Sequence, residues 1–263
     1  MTRQPSLFLS HGSPMIVLDK SPARTFLEGL AEELSSKPEA IVVISAHYDA
    51  PVTSITSGLH PSTIYDFGSF PPALYEMVYP APGAPDLAKR IQNMLQSAGL
   101  PSRLDSEGGF DHGTWTPLLL AWPAADIPVV QISINERGSP QSHYDLGIQL
   151  GTLRDENILI VGSGSMTHNL SAFFRGDFSH NAPTEPWVLE FLDWLETKLI
   201  SGDRAAVLRA INEGPYGSDN HPTMDHILPL FVALGAGGVE GKAHKMHHSV
   251  DHAVLAMDMW RFD

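Results

Sequence analysis

The sequence predicts an α/β fold, a single domain spanning 1–263 with a central mostly parallel mixed sheet flanked by helices. Three observations predict it. Short apolar runs at 6–10, 40–46, 128–133 and 157–161 have the length and apolar character of buried strands. Segments of helical periodicity lie between them, which gives the β-α-β alternation of a sheet covered on both faces. No internal repeat, low-complexity stretch or linker divides the chain.

The elements follow in order. Residues 6–10 form the first strand. A helix over 22–36 comes next, with Ser21 as N-cap and Pro22 at its first position. Residues 40–46 form the second strand. The stretch 51–82 is rich in Pro, Gly, Ser and aromatics and reads as an ordered functional loop. Leu87, Ile91, Met94 and Leu95 give 86–97 helical periodicity. A glycine-rich turn at 108–113 precedes a helix at 116–121. The strand 128–133, a helix at 142–153 and the strand 157–161 complete the central alternation. Helices follow at 186–199, 204–212 and 226–234, and the tail 243–262 reads as a strand pair.

Composition narrows the function. Sixteen basic against thirty acidic residues give a formal charge of −14. The basic residues are scattered, which argues against a nucleic-acid surface. No apolar run is long enough to cross a membrane and no signal peptide is visible, so a cytoplasmic protein, monomeric or a small homo-oligomer, is expected. There is no cysteine. Any metal must therefore be held by nitrogen and oxygen, as in open catalytic sites.

The histidines carry the chemistry. His11 follows the run Ser6-Leu7-Phe8-Leu9-Ser10, and His47 follows Ala40-Ile41-Val42-Val43-Ile44-Ser45-Ala46. His168 follows Ile158-Leu159-Ile160-Val161 and a Gly/Ser-rich turn. The carboxyl ends of parallel strands converge on one crevice, so histidines delivered there can share one ion. In Gly109-Phe110-Asp111-His112-Gly113-Thr114-Trp115, His112 fits an acid or base that Asp111 orients, or simply a helix start capped by Asp111 or Thr114. In His221-Pro222-Thr223-Met224-Asp225-His226, Thr223 fits an N-cap and Asp225 the first helical turn; neither accounts for His226. The Gly/Ser run at 162–165 lacks the pattern of a nucleotide loop. His244, His247, His248 and His252 alternate with apolar residues as on the solvent face of β-structure, so a metal role is not assigned to them, nor to His60, His143 or His180.

Taken together, these turns resemble a known family. Ser10-His11-Gly12-Ser13-Pro14, Ser45-Ala46-His47-Tyr48, Phe110 to Trp115, Ser163 to Leu170 and His221 to Leu230 occur in this order. With Tyr65-Asp66-Phe67-Gly68-Ser69-Phe70-Pro71 and Tyr79-Pro80-Ala81-Pro82-Gly83, they closely resemble the 4,5-DOPA extradiol dioxygenases. These are class III ring-cleaving enzymes related to the catalytic subunit of protocatechuate 4,5-dioxygenase. The resemblance implies one divalent metal per chain and cleavage of a small catechol by dioxygen beside, not between, its hydroxyls. It implies His11, His47 and His226 as metal ligands, with His168 and His112 as the catalytic histidines. The wider class uses two histidines and a glutamate, whereas a third histidine stands here. Three histidines also suit zinc, but zinc has no redox chemistry, so Fe(II) is expected for ring cleavage. Tyr65, Phe70 and Trp115 are expected to shape an aromatic slot for the substrate. A zinc hydrolase using the same histidines is the competing expectation.

Overall fold

The computed structural model describes residues 3–176 and 178–263. Among these described residues there are ten strands: β1 (Ser6–Ser10), β2 (Ala40–Asp49), β3 (Thr53–Thr56), β4 (Ser102–Asp105), β5 (Val129–Ile134), β6 (Ile158–Gly164), β7 (Ala243–His247), β8 (Val250–Asp251), β9 (Leu255–Ala256) and β10 (Met259–Phe262). Eight of them form one sheet in the order β4-β3-β5-β2-β6-β1-β10-β7. The central four, β5-β2-β6-β1, are parallel neighbours. β10 and β7 add antiparallel strands at one edge, and β3 joins β5 antiparallel near the other. This is the mixed, mostly parallel α/β sheet expected from the alternation of the sequence.

Period-2 geometry explains why the central strands are apolar throughout. Phe8, Val42, Ile44, Val130, Ile132 and Ile160 point to one face, where the helices Pro85–Ser97, Pro140–Leu150, Pro186–Ser201 and Leu228–Gly237 cover them. Leu7, Leu9, Ile41, Val43, Leu159 and Val161 point to the other, under Pro22–Gly29 and His112–Ala121. Both sets are almost wholly buried.

Several boundaries differ from expectation, each for a local reason. The first helix has the expected Ser21 cap, with its hydroxyl accepting from Arg24 N–H, but turns 3-10 at Leu30–Glu33. β2 runs on to Asp49 and carries His47 within it, because a bulge between Ser45 and Asp49 lifts the intervening residues out of the ladder with β5. β3 and β4 were not expected; they are four-residue, polar strands near and at the sheet edge, too short for a periodic signal. The helix expected at 116–121 starts at His112 with Asp111 as its cap. The segment 204–212 breaks into Arg204–Val207 and Ala210–Glu213. The apolar helix starts at Leu228, two residues after His226, and has no side-chain cap, so Thr223 is not its N-cap. The tail is the strand pair β7 and β10, with the small β8-β9 ladder between them. Among the described residues no helix is long and apolar enough to cross a membrane.

Candidate metal centre

Three side chains meet above the carboxyl ends of the parallel strands. His11 leaves β1 through a turn whose amide bonds Gly164 O at 3.0 Å. The next residue, Gly12, has φ +65°, and a Cβ there would lie 2.7 Å from Met257 Cε; only glycine takes this path cheaply. His47 is aimed over the sheet end by the β2 bulge. His226 reaches the centre because its own backbone lies against the end of β6: Ser165 N–H donates to His226 O at 2.9 Å, and a Cβ at Gly164 would sit 2.1 Å from that oxygen. The glycine of the Gly/Ser run therefore makes room for a histidine sixty residues away in sequence, not for a nucleotide.

The ring nitrogens converge. His47 Nε2 lies 3.0 Å from His11 Nε2 and 3.3 Å from His226 Nε2. His11, His47 and His226 can each offer one nitrogen within 4.8 Å of the others. Two N–H groups or two bare lone pairs so close repel unless a cation or a shared proton lies between them. Burial, reinforced by the neighbouring histidines, holds His11 well below its ordinary pKa, and the same causes lower His47. Neutral imidazoles are what a metal binds. The opposite ring nitrogens face polar partners. His226 Nδ1 meets Asp225 Oδ2 at 2.6 Å, and His11 Nδ1 meets Ser163 Oγ at 2.9 Å. His47 Nδ1 lies 3.5 Å from Asp66 Oδ2. Such outer partners orient ligand rings and raise their basicity. The donor set fits one divalent cation of borderline softness, iron(II) or zinc(II).

His112 and His168 flank this centre. The His47 and His112 ring centroids are 3.9 Å apart. The His168 ring stacks on His226 at 3.4 Å and 12°. His168 is also held by its backbone, with its N–H on Asn220 O at 2.8 Å, so it is better ordered than a Gly/Ser turn suggests. Burial and the neighbouring His226 lower its pKa to about 3.

The carboxylates are assigned differently from the sequence reading. Asp111 does not orient His112. Its oxygens accept from Ser45 Oγ at 2.6 Å, Gln131 Nε2 at 2.9 Å and Thr114 N–H at 3.2 Å, and burial pushes its carboxyl up to about 6. Asp66 orients His112 instead, accepting from its backbone N–H at 2.9 Å and its ring Nδ1 at 2.8 Å. Burial raises the Asp66 carboxyl, but those two bonds outweigh it and hold the group below the usual range. Asp225 is no mere capping residue. Burial is again outweighed, here by the His226 bond, so Asp225 stays ionised well below the usual range. Asp66 stands between Tyr65 and Phe67 with no local pattern in the sequence that marks it as the partner of His112.

The aromatic loop lies over this side of the centre. Phe67 is the side chain that reaches it, edge-on to His112 with centroids 5.7 Å apart. Phe70 packs behind Phe67 at 5.3 Å. Tyr65 is turned away, its hydroxyl donating to Met77 O at 2.8 Å. Trp115 is fully buried and supports the loop from beneath, with its indole N–H on Ile64 O at 3.1 Å and its ring 6.3 Å from Phe67.

Comparison with known proteins agrees with this architecture. Residues 5–257 match the family described as the catalytic LigB subunit of aromatic ring-opening dioxygenase. A 4,5-DOPA dioxygenase extradiol of Beta vulgaris is 41% identical over 260 residues, covering 98% of this chain and 96% of its own. A protein of the same name from Escherichia coli K12 is 42% identical over 241 residues, covering 89% and 86%. The crystal structure of an uncharacterized E. coli K12 protein superposes with a TM-score of 0.80 at 35% identity, covering 99% of this chain and all of that one. The chain belongs to the aromatic ring-opening dioxygenases of the LigB type, among the 4,5-DOPA extradiol dioxygenases.

Proposed function

We propose that the whole chain is one catalytic domain that opens the ring of a small, DOPA-like catechol with dioxygen, using one Fe(II) held by His11, His47 and His226. The observation that carries this reading is the convergence of three Nε2 atoms, at 3.0 and 3.3 Å, with the other nitrogen of each ring directed at a polar partner. Iron there supplies the redox chemistry toward dioxygen that zinc lacks. The printed names of the Beta vulgaris and E. coli relatives support a DOPA-like diol as the substrate class.

The chain's own residues handle protons and the ring. A catechol must shed at least one proton to chelate a metal. His112 donates through Nδ1 to Asp66, which leaves Nε2 as the basic nitrogen and offers a carboxylate to the imidazolium once a proton is taken. His168, stacked on His226 beside the centre, is held neutral by burial, so it takes a proton only transiently and returns it readily as an acid. Once protonated, either ring can return that proton to a developing oxyanion. The Phe67 ring supplies an apolar wall for a flat substrate ring.

The zinc hydrolase reading gains no support. The family model describes an aromatic ring-opening dioxygenase, and the curated relatives named above are extradiol dioxygenases. The test is anaerobic reconstitution of metal-free protein with Fe(II) or Zn(II), followed by an oxygen electrode with catechols. The iron form consumes oxygen and yields ring-opened products; equal turnover by a rigorously iron-free zinc protein overturns the reading.

A further inference from the structure

We propose that Ser163 is a positioning residue that fixes the tautomer of His11, and that Pro117 is what leaves Ser163 committed to that task. The inference rests on His11 being a metal ligand, and it concerns how that ligand is presented.

The argument is one of hydrogen inventory. The Ser163 side chain is fully buried on β6 and touches two partners, the Gly113 carbonyl and His11 Nδ1. A hydroxyl owns one hydrogen, and a carbonyl only accepts. The hydrogen therefore goes to Gly113 O. The Ser163 oxygen then faces His11 Nδ1 at 2.9 Å as an acceptor, so Nδ1 must carry a hydrogen. In a neutral imidazole that leaves Nε2 bare. Nε2 is the atom 3.0 Å from His47 Nε2, on the metal side.

The Gly113 carbonyl is available because of the sequence four residues on. Gly113 is the second residue of the helix His112–Ala121, and its carbonyl would normally accept from the N–H of residue 117. Residue 117 is proline, which has no N–H. A proline inside a helix usually leaves a carbonyl without its partner; here the Ser163 hydroxyl supplies one. The chain of contacts Pro117, Gly113, Ser163, His11 thus links a helix, β6 and β1 with no titratable group before the ligand itself. Asp225 performs the same service for His226 with a charge. A hydroxyl does it for His11 without adding a third carboxylate beside Asp66 and Asp225.

The test uses the full chain with Zn(II) as probe, binding being measured by competition with a chromophoric chelator. Long-range proton–nitrogen NMR of the zinc form reports which ring nitrogen carries hydrogen. Wild type shows His11 protonated at Nδ1. Ser163→Ala and the nearly isosteric Ser163→Cys weaken Zn(II) binding about 10- to 100-fold, the usual cost of losing an outer-shell partner. Both lose the protected His11 Nδ1 proton. Pro117→Ala restores a competing N–H for Gly113 O and weakens binding by a smaller factor, about 2- to 10-fold, the worth of one ordinary hydrogen bond. Ser54→Ala removes another buried hydroxyl, one bonded to Val52 O and Arg103 Nε and to no histidine, and leaves Zn(II) affinity unchanged. Wild-type affinity in both Ser163 variants overturns the proposal, as does metallation of His11 through Nδ1. Equal losses in Ser54→Ala reduce Ser163 to a packing role and also overturn it. If His11→Ala leaves zinc binding intact, the metal-site reading fails and takes this inference with it; if only the Ser163 variants behave as wild type, the metal site stands and this inference alone falls.

Discussion

Two regions of this molecule are rich in histidine, and they behave in opposite ways. At the strand ends, His11, His47 and His226 direct nitrogens at one another, and their outward nitrogens face a hydroxyl or a carboxylate. In the tail, His247 bonds Ser249 and stacks on Phe26, His248 bonds Asp258, and His252 bonds the Phe178 carbonyl. His244 lies 3.7 Å from Asp263. These tail histidines each look to a different partner, and no group of them could share an ion among the described residues. The difference is topological. Parallel strands end side by side and bring His11 and His47 to one place, where the segment leading into the helix Leu228–Gly237 adds His226, whereas an antiparallel pair spreads successive residues along an edge. Histidine count says little; the direction of the chain at each histidine decides.

The largest expected effect separates the two regions directly. His47 is the common neighbour of the other two ligands. His47→Ala should lower metal affinity by more than the ~10–100-fold typical of an outer partner and abolish oxygen consumption. His248→Ala should leave both unchanged. Equilibrium dialysis with Zn(II) or anaerobic Fe(II) reads the result, and a His47→Ala protein that retains stoichiometric metal would erase the distinction.

Acid should pull the regions apart with opposite signs. His168 keeps a pKa of about 3 in the folded chain against about 6.5 unfolded. The unfolded state therefore binds a proton that the folded state refuses. The stability associated with neutral His168 is complete above pH ~6.5 and is lost as pH falls, by up to about 1.4 kcal/mol per pH unit. The hydrogen bond to Asp258 raises His248 instead, so its contribution is complete below pH ~6.5 and fades as pH rises through the raised value. Urea unfolding of metal-free protein between pH 7.5 and 5.0 checks both. His168→Gln should flatten the loss on acidification, and His248→Gln should steepen it. Identical slopes in the two variants would remove the contrast.

The same His168→Gln protein bears on catalysis. Stacking on His226 makes His168 a neighbour of the metal without needing it as a ligand. The variant should keep Fe(II) yet turn over at least about a hundredfold more slowly, the low end of what a proton-transfer group contributes, with a flattened pH profile. Loss of iron would make His168 a ligand instead.

Much of this was legible in the sequence because it obeys short-range rules. Apolar runs locate the central strands, and a histidine placed just past such a run is a local signal. What escaped is what the chain assembles across distance. Asp66 reaches His112 from 46 residues away, out of a loop with no period to read. Ser163 sits in a Gly/Ser stretch that looks like a turn but is the end of β6, where small residues let the His226 and Pro229 backbones approach. Asp225 reads locally as an acid in the first turn of a helix capped by Thr223, yet that helix starts only at Leu228. Phe67 was hidden among four other aromatics of the same loop region, because which ring faces inward depends on the loop's path.

The smallest expected effect concerns that loop. Phe67 touches His112, while Phe70 lies one ring further out. An aromatic edge contact is worth about 0.5–1.5 kcal/mol, so Phe67→Ala should change relative kcat/KM among catechols by about two- to tenfold. Phe70→Ala should change it less, because its contact with the substrate is relayed through Phe67. Metal content should stay at wild-type level in both, since neither ring meets a ligand histidine among the aromatic pairs. The comparison is sharpest with catechols that differ only in ring substituent, because every one presents the same two hydroxyls to the metal. If Phe70→Ala reorders the substrates more than Phe67→Ala, the loop presents a different face in the substrate complex than it does here.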